Sequence, residues 1–102
     1  MLNPDSFILI QSWMVTDLHL KGTDLLLFAL IHGFSNDGIS TYTGSLPHMM
    51  VWTGCTKAAV LRSLKKLVES GLVHKEIFTE HSIRRCSYYV NLTGVRVARS
   101  IG

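Results

Sequence analysis

One stretch of this chain leaves little freedom about what it can become. Between Thr56 and Gly71, the apolar residues Val60, Leu64, Leu67 and Val68 recur at the i, i+4, i+7, i+8 spacing of a single buried helical stripe. The opposite side carries Ala58, Ala59, Arg62, Lys65, Lys66 and Glu69. Thr56 can cap the first turn by accepting a backbone amide, and Gly71 can close the last turn in the left-handed conformation. The spacing therefore predicts a helix over about 57–70 with one face in a core and a cationic face turned to solvent.

What precedes this helix sharpens the prediction. Gly44-Ser45-Leu46-Pro47 reads as a helix start, with Ser45 as cap and Pro47 in a first turn whose amides lack partners in any case. The helix it opens is short, about 46–53, and packs through Met49, Met50 and Trp52. Thr53-Gly54-Cys55-Thr56 is the turn. A short helix, a tight turn with glycine and a longer helix that is basic outward form a helix-turn-helix, an arrangement suited to DNA.

The remaining segments supply the layers around this unit. Residues 7–15, rich in β-branched and aromatic side chains, read as a strand or extended arm. Residues 25–34 are apolar nearly all round and read as a buried first helix, with Asp24 suited to its first turn. Ser35-Asn36-Asp37-Gly38 is a turn, and 39–43 a short strand. Residues 72–78 and 86–92 read as the strands of a hairpin around a polar tip, 79–85, and 93–102 as a tail. The expected fold is α+β: one domain over 1–102, its core at about 6–92, with three helices and a small antiparallel sheet.

Charge is distributed unevenly. Nine of the ten Lys and Arg residues, but three of the seven acids, lie in 54–102, so that half carries +6 and the rest −3. A basic face meeting a polyanion is the expectation. Cys55 and Cys86 stand in no CxxC motif, and His19, His32, His48, His74 and His81 match no HxxxH pair or triad grouping. Two unlinked thiols fit a reducing compartment. No phosphate loop, nucleophile elbow or acid pair is present, so the reading is of a non-enzyme without metal, cofactor or small-molecule substrate. Residues 1–6 carry no positive charge, and the longest apolar run, 25–31, is far below the ~20 residues of a membrane span. A cytoplasmic protein with no membrane partner is expected.

Gly44-Ser45-Leu46, Met49, Trp52-Thr53-Gly54, Thr56-Lys57, Val60, Leu64-Lys65-Lys66-Leu67 and Gly71-Leu72-Val73 together resemble the winged-helix domains of bacterial replication-initiation proteins. These are the phage and plasmid replisome organisers and the DnaD-like primosome proteins. Trp13-Met14, Leu18, Leu20, Gly22, Leu25-Leu26, Ala29-Leu30-Ile31 and Gly33-Phe34-Ser35 extend the likeness, which covers about 6–92. The resemblance implies a winged helix-turn-helix that binds double-stranded DNA. Its recognition helix (57–70) would lie in the major groove, and its hairpin wing (about 72–92) would approach the minor groove. Larger relatives continue into sequence that loads or recruits partners; ending at Gly102, this chain reads as a stand-alone reader or a domain of a longer protein.

On that fold the contact candidates are Ser45, Thr56, Lys57, Ala58, Arg62, Lys65, Lys66, His81, Arg84 and Arg85, with Thr53 beside them. Lys57 opposes the helix dipole from the first turn, at a cost of about 0.3–1 kcal/mol that a phosphate would reverse. A tolerated surface lysine is the alternative. Arg62 and Lys65 can reach base edges or phosphates. Ala58 permits close approach to the groove, although alanine also simply favours helix. Arg84 and Arg85 would meet the high negative potential of a narrow groove, and a solvated loop is their alternative. Two further functions remain open: a small transcriptional regulator, and a protein-interaction module using Trp13, Met14 and the N-terminal arm. One recognition helix covers half a site, so a homodimer through the arm at 7–15 is also expected.

Overall fold

The computed structural model describes residues 5–101. Its element order is α1 (Ser12–Thr16), α2 (Gly22–Ser35), α3 (Leu46–Thr53), α4 (Lys57–Glu69), β1 (Val73–Glu80), β2 (Ile83–Val90) and α5 (Leu92–Ile101). The centre is α2. Five consecutive residues, Leu27 to Ile31, are buried in it, as an all-round apolar helix requires. Met14 of α1, Met49 of α3, Val60, Leu64 and Leu67 of α4, and Tyr88 and Val90 of β2 complete the core.

The caps form where the sequence placed them. Ser45 accepts the His48 amide at 3.3 Å and Thr56 the Ala59 amide at 3.2 Å. At the far end of α4, Gly71 (φ +79°) donates to Val68 O and Leu72 donates to Leu67 O, each at 3.1 Å. This pair of bonds is the Schellman closure, and it needs the left-handed residue between helix and strand. The chain then turns directly into β1.

β1 and β2 pair antiparallel from Val73↔Val90 to Glu80↔Ile83. The loop between them is only His81-Ser82, both with positive φ (51° and 64°), the geometry of a two-residue type I′ turn. The expected polar tip, 79–85, is thus mostly strand: its polar side chains stand on exposed faces of a projecting hairpin and look like loop by composition.

Three further expectations are corrected. The segment 7–15 is not a strand. Residues 6–11 form neither helix nor paired strand, and α1 begins at Ser12. Phe7, Ile8 and Leu9 line an open groove with Ala29, Leu30, Gly33 and Phe34 of α2 and with Trp52; Ile8 packs against the core while Phe7 and Leu9 stay exposed, and no strand pairs with them. The strand at 39–43 shrinks to one bridge, Tyr42 to Tyr88. Asp37 explains this, because its carboxylate accepts the Ile39 and Ser40 amides at 2.9 and 2.7 Å and so holds that backbone in a turn.

The third correction is the tail, which is helix α5. Asn91 opens it: its Oδ1 accepts the Gly94 amide at 3.1 Å, and its Nδ2 donates to the Gly71 carbonyl at 2.8 Å. A Cβ on Gly94 would collide with that same carbonyl, so only glycine lets α5 dock here. Arg99 of α5 then lies over the Trp13 ring at 4.7 Å and binds Asp17 at 3.1 Å.

Candidate nucleic-acid interface

Burial of Val60, Ser63, Leu64 and Leu67 fixes how α4 is rotated. Ala58, Arg62, Lys65 and Glu69, spaced i, i+4, i+7, i+11, consequently form a solvent-facing ridge. Lys57 is exposed at the start of the same helix. Ser45 and Thr56 are exposed at the starts of α3 and α4. Each uses an oxygen lone pair for its cap, which leaves the hydroxyl hydrogen to donate to an incoming phosphate. Thr53 is different: it is buried, donates to Met49 O at 2.8 Å and accepts the Cys55 amide at 3.3 Å, so it serves the turn.

The hairpin closes the other side of the ridge. Strand alternation puts Lys75, Ile77, Thr79, Arg84, Cys86 and Tyr88 on one face, and Phe78, Glu80, Ile83 and Arg85 on the other. Two shallow grooves join the elements. Lys65 and Lys75 both line one of them, with Leu61, Val68 and Tyr88. Ser45 and Arg85 both line the other, with Leu61, Leu64 and Cys86. The exposed tip carries His81, with Arg84 and Arg85 following it. Lys75 was absent from the sequence candidates; the two-residue period of β1, counted back from the apolar Ile77, would have placed it on the α4 side.

Lys66 stands apart from this set. Its ammonium binds Asp24 Oδ2 at 3.0 Å, while Ser63 donates its hydroxyl to Oδ1 at 2.5 Å. Asp24 lies in the first turn of α2, so the carboxylate braces α2 against α4. Burial alone would raise its pKa, but the Ser63 hydroxyl and the Lys66 ammonium together hold it below the usual carboxylate range. Among the described residues the ion pairs are this one and Arg99–Asp17. The cations of the ridge and of the wing lie outside both.

A second network positions α3. Trp52 Nε1 donates to His48 Nε2 at 3.2 Å, and His48 Nδ1 meets Tyr42 Oη at 2.5 Å. Indole can only donate, so Nε2 is the accepting nitrogen and Nδ1 carries the hydrogen toward the tyrosine. Tyr42 is almost wholly buried, which pushes its hydroxyl pKa up to about 12 and keeps it neutral.

Residues 18–73 match the family model of a helix-turn-helix domain. The chain belongs to that family. The matched span runs from just before α2 to the first residue of β1, so it contains α2, α3, the turn at Gly54-Cys55-Thr56 and α4. The helix-turn-helix is a DNA-binding arrangement, and the hairpin that follows makes this one winged. No curated protein and no solved structure matches the chain. Among the described residues, no helix is long and apolar enough to cross a membrane.

Proposed function

We propose that this helix-turn-helix protein binds double-stranded DNA in the cytoplasm, as a binding protein with no catalytic step. In this reading α4 enters the major groove and the wing follows the adjacent backbone toward the minor groove. The observation that carries it is the ridge of Ala58, Arg62 and Lys65, flanked by Lys75 on the wing and by the hydroxyls of Ser45 and Thr56. Arg62 and Lys65 reach base edges or phosphates from the middle of α4. Lys57, at its start, meets the backbone where the helix dipole favours an anion. Lys66 is paired with Asp24 but stays exposed to solvent, so it adds to the positive face and can exchange that weak pair for a phosphate. His81, Arg84 and Arg85 contact the backbone from the wing tip.

The process we assign is replication initiation on a mobile element, on the likeness of residues 6–92 to replisome organisers and DnaD-like proteins. A transcriptional regulator would use the same face. The exposed Phe7 and Leu9 and the uncharged groove beneath the arm favour pairing of two copies, which would supply the second half-site.

Titration of a duplex at several salt concentrations tests the reading. Wild-type affinity should fall steeply with salt. The double substitution Arg62→Ala/Lys65→Ala should weaken binding at least tenfold and flatten the log–log salt slope by up to about 2. Absence of wild-type binding at low salt would overturn the proposal, and the arm would then mark a protein-interaction module.

A further inference from the structure

The tip of the wing exposes a large aliphatic side chain among its cations. Ile83 is the first residue of β2 and is 55% exposed, next to a turn of two polar residues and followed by two arginines. Its position is fixed. His81 and Ser82 form a tight two-residue turn with both φ positive, and the Glu80↔Ile83 pair closes the ladder immediately behind it. Arg84 and Arg85 project to opposite faces of the ribbon by strand alternation, one on each side of the tip.

We propose that Ile83 is an apolar wedge that enters the minor groove and partly unstacks one base step, bending the duplex. This rests on the duplex-binding reading given above. The dimensions support it. Paired strands stand about 4.8 Å apart before side chains are added, and the minor groove of regular DNA is only about 6 Å wide. A two-stranded tip therefore cannot descend into the groove unless it opens, and inserting an aliphatic side chain between bases opens it. Arg85, on the same face as Ile83, then reaches a phosphate beside the opened step, and Arg84, on the other face, adds positive charge near the backbone. Glu80, paired with Ile83 on the same face, is the one acid at the tip. Projecting the same way as Ile83, it would meet the negative potential of the groove and weaken the contact, so Glu80→Gln should tighten binding.

Two readouts on one duplex test the wedge. A short duplex with a central TA step, which unstacks easily, carries aminopurine at that step and a donor–acceptor dye pair at its ends. Wild-type protein should raise aminopurine fluorescence and bring the ends together, by a bend within about 20–90°. Ile83→Ala should keep its circular dichroism and still bind, yet lose both signals; Ile83→Leu should retain them. Binding without bending or unstacking, or full bending by Ile83→Ala, overturns the wedge and leaves duplex binding intact. Absence of wild-type binding overturns both.

Discussion

Helices α2 and α4 have nearly the same length, 14 and 13 residues, and pack against each other, yet they are built on opposite plans. In α2 the residues Leu27, Phe28, Ala29, Leu30 and Ile31 are buried in succession, so the helix is enclosed on most sides. In α4 burial follows one stripe and the rest faces water with its cations. A helix surrounded by the others has its identity set by volume. A helix at the edge has half its residues left over for chemistry. The division of charge follows the same line, with the basic residues gathered after Gly54.

The comparison breaks first at Phe28. Its ring is fully buried and meets Trp13 edge-on at 6.0 Å between centroids. Phe28→Ala should destabilise the protein by about 3–5 kcal/mol, through lost transfer energy and the cavity left behind. Urea denaturation would measure it. Arg62→Ala on the exposed ridge should shift the same midpoint by less than about 0.5 kcal/mol, the usual scale for surface sites. A large stability loss at Arg62, or a small one at Phe28, would mean that the roles of the two helices are not divided in this way.

The sequence made this division legible because each clue was local. The caps Ser45 and Thr56, the stop at Gly71 and the stripe through Val60, Leu64 and Leu67 lie within the elements they define. The failures share a different cause. Phe7, Ile8 and Leu9 have strand-like composition, but only the tertiary fold determines whether a ladder edge or a helix receives them. Residues 93–102 carry no strong local pattern and look like a tail; the glycine that lets them dock as a helix, Gly94, is required by a carbonyl twenty-three positions earlier, at Gly71. On the interface, Arg62 and Lys65 follow from the helical period. That Lys66 is held by Asp24, forty-two positions away, has no local signature.

The brace between the two helices gives a sharper test of smaller size. Ser63 is 4% exposed and depends on the Asp24 carboxylate as its acceptor, whereas the Lys66 side chain is 71% exposed. Asp24→Ala should cost about 1–3 kcal/mol, because it leaves a buried hydroxyl without its partner. Lys66→Ala should cost at most about 1 kcal/mol, the range of a solvent-exposed ion pair. Equal losses would show that the ion pair, and not the buried hydrogen bond, holds α4 to α2.

The smallest expected effect is a dependence on pH. On α2, His32 lies between Trp13 and Phe28, with ring centroids 5.3 and 5.9 Å away, and burial lowers its pKa from the usual 6.5. Folding therefore favours the neutral imidazole. The stability this contributes is complete above about 6.5, the unfolded value, and is lost as pH falls from there through the folded value. Asp24 also has a lowered pKa, held down mainly by its bond from Ser63 of α4, so its contribution is lost only below the ordinary carboxylate range near 3.8. Acid should accordingly weaken the fold in two stages, the first from His32 in its site between α2 and α1, and the second from Asp24 together with Asp37, whose turn bonds from Ser40 and Ile39 hold its carboxyl down to about 2. Thermal midpoints measured from pH 8 to about 2 should show both, and His32→Phe should erase the first while leaving the second in place. A single transition below about pH 3.8, unchanged in His32→Phe, would mean that the imidazole titrates as freely in the folded chain as in the unfolded one.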